Sequence, residues 1–185
     1  TFRLHLPGKI RPTIVRMKVH GAHNVTNALA AAAVGAALNL SGAMIAQGLS
    51  RFRPAAMRSQ VVTLHGVHFI NDCYNANPAS MNAALQLLAQ WRPARDRIAV
   101  LGDMRELGAE TGRLHREVGQ FLATQGLSRL IACGALGREI AEGARQGGMA
   151  GSQIDEVSDA AAAADHLKKI LRQGDVVLVK ASRGM

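Results

Sequence analysis

The chain has 185 residues, 48% of them hydrophobic and 19% charged, which suits an ordinary globular core and leaves room for one full domain and part of another. Only 3% are aromatic, so the core must rest on Leu, Ile, Val, Ala and Met, a composition for helices packed on a sheet rather than an aromatic-rich barrel; the longest apolar stretch, Ala28 to Leu40, is too short to span a bilayer. The net charge of +9 is concentrated early, with eight Lys or Arg and no Asp or Glu in residues 1–60, which suits either an anionic partner or a solvated surface, while the lack of interleaved aromatics speaks against nucleic acid.

Thr1 to Leu4 has no methionine and no basic-then-apolar layout of a signal peptide, and Ser182 to Met185 follow directly on a strand-like run, so both ends are expected to be cut from a longer chain. Pro12 to Val19 alternates as a half-wet strand, ended by Gly21. The alanine-dense Asn24 to Leu40 predicts a helix, Ser41-Gly42 an interruption, and Ala43 to Leu49 a second helix. Arg51-Phe52-Arg53-Pro54 is the expected domain boundary, separating residues 1–53 from 54–185.

Beyond it strands and helices alternate. Strands at Gln60–Leu64 and His68–Asp72 form a hairpin about His65-Gly66; then come helix Ser80–Trp91, strand Arg97–Leu101 and helix Glu110–Thr124. Strand Arg129–Cys133, helix Leu136–Arg145, strand Ile154–Val157, helix Ala160–Leu171 and strand Val176–Lys180 complete the order. Val176 to Val179 is a continuous apolar run of the kind buried on both faces, and repeated β-α-β units predict an α/β, Rossmann-like, doubly wound and mostly parallel sheet. Cys73 and Cys133 form no close pair and no C-x-x-C, as in a reducing compartment.

In such a fold the loops after Asp72, Leu101, Gly134 and Lys180 are where ligands gather. His23-Asn24-x-x-Asn27 puts two carboxamides one helical turn apart, able to grip a purine edge; Asn24 as a helix cap is the plainer alternative. The loop Asp72-Cys73-Tyr74-Asn75-Ala76-Asn77-Pro78-Ala79-Ser80 is dense in hydrogen-bonding groups: Asp72 suits ribose hydroxyls, and Asn75 and Asn77 a peptide backbone. Turn chemistry with an N-cap at Ser80 explains it equally well. Gly102 to Gly108 lacks a G-x-G-x-x-G, which disfavours NAD or FAD. Lys180-Ala181-Ser182-Arg183 suits a carboxylate or phosphate, or a solvated loop. His5, His20, His65, His68, His115 and His166 show no metal spacing and read as surface or packing residues.

Five motifs in order, His23-Asn24-x-x-Asn27, Arg58, Asp72 to Met81, Gly102 to Gly108 and Leu178 to Met185, together resemble the Mur ligases over nearly the whole chain. The Tyr74-Asn75-Ala76-Asn77-Pro78 loop points within that family to the member that adds the final dipeptide, rather than to another Mur ligase or a folylpolyglutamate synthetase. The resemblance implies a bacterial cytoplasmic enzyme of peptidoglycan synthesis, a monomer with no membrane insertion and no nucleic-acid partner. Its activity would be ATP-dependent amide formation, through an acyl phosphate, between UDP-N-acetylmuramoyl-tripeptide and D-alanyl-D-alanine, with Mg2+ neutralising the transferring phosphoryl group.

Residues 1–53 would then be the end of a central ATP-binding domain and 54–185 a C-terminal ligase domain. By the same resemblance His23, Asn24, Asn27, Arg58 and Asp72 bind ATP, and Tyr74, Asn75, Asn77, Lys180, Ser182 and Arg183 bind the acceptor dipeptide. No catalytic or metal-ligating residue is expected in this chain, because the family's P-loop, metal ligands and modified lysine would precede Thr1, and the chain alone is expected to be inactive. Two positions depart from the pattern: Met57 and Ala181 stand where glycines are expected, and a loop there loses the φ > 0 freedom that glycine supplies.

Overall fold

A computed structural model describes residues 1–185, and the chain divides into two compact units, Thr1–Pro54 and Ala55–Met185. In the first unit β1 (Phe2–Leu4) pairs antiparallel with β2 (Thr13–Val15). The strand expected over Pro12–Val19 is therefore shorter, because only Thr13, Ile14 and Val15 have ladder partners. β1, three residues long, offers too short an alternation to be read in advance.

Helix α1 (Ala22–Ala37) is capped by the backbone of Gly21 at φ 92°, not by Asn24, which lies in the first turn. It closes before the expected Leu40 in a Schellman motif: Asn39 takes φ 58°, its N–H reaches the Ala36 carbonyl at 2.9 Å, and the Leu40 N–H reaches that of Gly35 at 3.0 Å. Helix α2 (Gly42–Arg51) is capped by the Ser41 hydroxyl, which accepts the Met44 N–H. Leu4, Val15, Ala32 and Ile45 form the small core of this unit. No helix in the chain is long and apolar enough to cross a membrane.

The second unit runs β3 (Gln60–Leu64), β4 (Val67–Asn71), α3 (Pro78–Gln90), β5 (Arg97–Leu101), α4 (Thr111–Ala123), β6 (Arg129–Cys133), α5 (Gly137–Gln146), β7 (Ile154–Val157), α6 (Ala160–Ile170) and β8 (Val176–Lys180). The six strands form one sheet in the order β3-β4-β8-β5-β6-β7, with only β3 antiparallel. The β3–β4 hairpin turns on His65 and Gly66 at φ 49° and 77°, two left-handed residues in succession as a tight two-residue hairpin requires.

β8 lies between β4 and β5 and is covered on both sides. Val176 and Leu178 join the core that α3, α4 and α5 build on one face, while Val177 joins the cluster under α6 on the other. Each buried side chain of this size contributes about 1.5–3 kcal/mol by leaving water, which is why the strand is a continuous apolar run. Helix α3 begins earlier than Ser80. Asn77 is the N-cap, accepting the Ser80 N–H at 2.9 Å while the Ser80 hydroxyl accepts the Asn77 N–H at 3.0 Å, with Pro78 in the first turn.

Candidate functional site

β4, β8 and β5 end side by side, so the parallel sheet delivers three loops to one edge of the second unit. The first tie between them is ionic. Lys180 closes β8 with its side chain turned inward, 2% exposed, and its Nζ donates to Asp72 Oδ2 at 2.6 Å and to the Asn75 carbonyl at 2.9 Å. The other carboxylate oxygen of Asp72 accepts the Ser59 backbone N–H at 2.7 Å and its hydroxyl at 3.3 Å. One buried pair thus joins the end of β4, the end of β8 and the segment leading into β3. The reading of Lys180 as part of a solvated loop is corrected by this burial.

The segment before β3 bends through two left-handed residues, Met57 at φ 59° and Ser59 at φ 48°. Met57 therefore keeps a backbone conformation that favours glycine, and its carbonyl accepts the Tyr74 N–H at 3.0 Å. Ala181, the other departure, lies outside that region and needs no glycine.

On this base the Tyr74–Asn77 loop is presented outward. Tyr74, Asn75 and Asn77 are exposed, whereas Ala76 is buried as the loop's anchor. The guanidinium of Arg58 lies 4.0 Å from the Tyr74 ring centroid and that of Arg183 6.0 Å from it, a geometry in which the phenol orients two cations. The Asn75 side-chain oxygen accepts the Ala76 N–H at 2.8 Å, so the amide N–H groups of this exposed residue are not used in that bond. Cations and amides around an aromatic platform suit the binding of a small carboxylate-bearing ligand.

Ser182, 4% exposed, faces inward. Its Oγ accepts the Arg105 N–H at 2.9 Å and donates to the Ala76 carbonyl at 3.4 Å, and its N–H donates to the Asp103 carbonyl at 2.9 Å. Asp103 Oδ1 in turn accepts the Leu136 N–H at 3.0 Å. Two residues of this edge escape a reading of the sequence. Ser59 has no recognisable motif, and its role exists only because β3 returns beside β4. His115 is fully buried and bonds into the loop after β5; its one signal is that it falls on the buried stripe of α4 with Val118, Gly119 and Leu122.

A cavity of ≈ 250 Å³ opens beside the pair, lined by Cys73, Cys133, Val179, Lys180, Ala181 and Leu167 among others. Burial, and then the Asp72 carboxylate, push the Cys73 thiol above its ordinary range; its Sγ lies 3.2 Å from the Val179 carbonyl. A raised thiol holds less thiolate at neutral pH. Iodoacetamide should therefore alkylate Cys73 at pH 7.5 severalfold more slowly than free cysteine, with the rate still climbing at pH 9. Mass-spectrometric time courses showing free-cysteine rates would contradict this placement.

In the first unit, Asn24 donates from Nδ2 to the His20 carbonyl at 2.7 Å and lies 3.1 Å from His23 Nε2, while Asn27 is exposed one turn further along α1. Arg58, Asp72, Tyr74, Asn75, Asn77, Lys180, Ser182 and Arg183 all come to the sheet edge of the second unit.

Residues 57–183 match the family described as Mur ligase, glutamate ligase domain. The chain belongs to the Mur ligase family. Among curated Mur ligases, the UDP-N-acetylmuramoyl-tripeptide--D-alanyl-D-alanine ligase of Bacillus subtilis (strain 168) is 39% identical over 169 residues, covering 89% of this chain and 36% of that protein. The enzyme of the same name from Escherichia coli (strain K12) is 33% identical over 172 residues, covering 91% of this chain and again 36% of the relative. Among solved Mur ligases, MurF from Acinetobacter baumannii superposes with a TM-score of 0.85 at 32% identity, over 98% of this chain and 39% of that one. The chain thus spans little more than a third of the length of the Mur ligases it matches.

Proposed function

We propose that this chain is the C-terminal part of a UDP-N-acetylmuramoyl-tripeptide:D-alanyl-D-alanine ligase, an ATP-dependent enzyme of peptidoglycan synthesis in the bacterial cytoplasm. The observation that carries the reading is the Tyr74–Asn77 loop, displayed at the carboxyl end of β4 on the Lys180–Asp72 pair and flanked by Arg58 and Arg183. In this reading Tyr74, Asn75, Asn77 and Arg183 contact the acceptor dipeptide. Lys180 and Ser182 hold the loops that do so.

Residues 1–53 belong to the end of the ATP-binding domain and 54–185 to the ligase domain. His23, Asn24 and Asn27 face adenine, and Arg58 approaches the nucleotide's phosphates. Asp72, with both oxygens already engaged by Lys180 and Ser59, contributes to the nucleotide site chiefly by fixing its floor. Mg2+, whose charge would offset that of the transferring phosphoryl group, is held by residues outside this chain. The second unit's own work is to bind and orient the acceptor amine, a positioning role.

The test uses the full-length gene product, UDP-N-acetylmuramoyl-tripeptide, ATP and D-alanyl-D-alanine, with phosphate release as readout. Dipeptide-dependent release is expected, and Asn75→Ala should raise the dipeptide KM about tenfold, the equivalent of one hydrogen bond of about 1.4 kcal/mol. Release with a single amino acid but not the dipeptide would refute the named reaction, and the absence of release with every acceptor would refute the ligase reading.

A further inference from the structure

The loop between β5 and α4 carries two consecutive backbone donors, the N–H groups of Met104 and Arg105, and each is captured by a buried side chain from a different element. His115, on the second turn of α4 and fully buried, accepts the Met104 N–H on Nε2 at 2.9 Å; Ser182, beyond the end of β8, accepts the Arg105 N–H at 2.9 Å. The His115 Nδ1 lies 2.7 Å from the Thr111 carbonyl, an acceptor only, so Nδ1 carries the proton and Nε2 is bare. A single neutral tautomer satisfies both ends of the ring. Met104 itself is fully buried in the main core, which leaves Arg105 and Glu106 exposed at the mouth of the edge, with Glu106 at φ 63°.

We propose that His115 is a positioning residue for acceptor recognition: by accepting the Met104 N–H it fixes the Asp103–Glu106 loop against Ser182, so that Arg105 and Glu106 are presented to the acceptor at a set distance from the Tyr74–Asn77 loop. The proposal rests on the reading of this edge as the acceptor site. A packing residue would need shape alone, whereas this position uses one acceptor and one donor at fixed ring atoms. Phenylalanine keeps the shape and loses both; glutamine keeps an acceptor and a donor on a side chain of comparable reach.

Two measurements separate the clamp from its function. In the 185-residue chain, long-range proton–nitrogen correlation should show His115 protonated at Nδ1 and bare at Nε2, and His115→Phe should speed hydrogen exchange of the Met104 amide at least tenfold while amides of β5 and β8 stay protected. A ring protonated at Nε2 instead, or an unchanged Met104 amide, overturns the clamp whatever the enzyme does. In the full-length ligase, His115→Phe should raise the KM for D-alanyl-D-alanine at least tenfold with the KM for ATP within twofold, and His115→Gln should restore the dipeptide KM to within threefold of the parent. Equal changes in both KM values, or a glutamine variant no better than phenylalanine, overturn the positioning role. A parent enzyme that turns over without needing the dipeptide instead refutes the proposed function and this role with it, while the spectroscopic result stands.

Discussion

Lys180→Met is expected to cost the second unit about 3–5 kcal/mol of stability, the usual penalty for removing one partner of a buried ion pair. The ammonium is 2% exposed and the Asp72 carboxylate 15% exposed, so water cannot replace what is lost. Methionine fills the volume but leaves one carboxylate oxygen and the Asn75 carbonyl without their donor. Urea unfolding followed by the fluorescence of Trp91, the chain's one tryptophan, reads this unit directly.

The double variant Asp72→Asn with Lys180→Met should recover part of the loss, because a neutral amide can still face the Ser59 N–H while no charge stays buried. Additive losses would mean that the two side chains do not depend on each other, contrary to a 2.6 Å contact. Under the proposed function, loss of dipeptide binding should accompany the loss of the pair even in protein that is still folded. The Asn75 carbonyl is held by the same ammonium, so the Tyr74–Asn77 loop would lose its floor.

Much of the second unit was legible in advance, for a physical reason. β5, β6 and β8 sit where the apolar runs place them, because a strand covered on both faces admits almost no polar residue. The ends of helices were less legible. Asn24 and Ser80 both carry side chains that could cap, yet Gly21 and Asn77 hold the cap positions, because local competition between neighbouring turn formers is settled by backbone geometry.

At the sheet edge, the direction in which each side chain points was not readable. Tyr74, Asn75 and Asn77 are outward groups, whereas Lys180 and Ser182, one strand end away, turn inward; nothing in the sequence around Val179 distinguishes a lysine that meets solvent from one that meets Asp72. The pair depends on β8 being inserted between β4 and β5, a pairing of residues 108 positions apart. His115 was obscured for a related reason. Its partner is a backbone N–H, which every residue has, so the motif carries no trace of the bond.

The other large effect is expected from one methyl group. α4 and α5 meet backbone to backbone: a Cβ on Gly143 would stand 2.0 Å from the Arg116 carbonyl oxygen, and one on Gly119 would stand 2.0 Å from that of Ile140. These neighbours are main chain and cannot swing aside, so the helices must separate, drawing Val118 and Leu122 away from Ile140 and Ala144. Alanine is the better helix former by about 1 kcal/mol, but overpacking of this kind costs about 1–3 kcal/mol and more when backbone must move. Gly143→Ala is therefore expected to lose at least about 2 kcal/mol net by urea unfolding. Gly112→Ala, in the first turn of α4, is the matched control, since its new methyl would meet only the far end of the Arg116 side chain at 3.3 Å. That variant should be neutral or gain up to about 1 kcal/mol. The same substitution on these two packed helices thus carries opposite signs, and a Gly143→Ala variant as stable as Gly112→Ala would mean that α4 and α5 lie further apart than their glycines indicate.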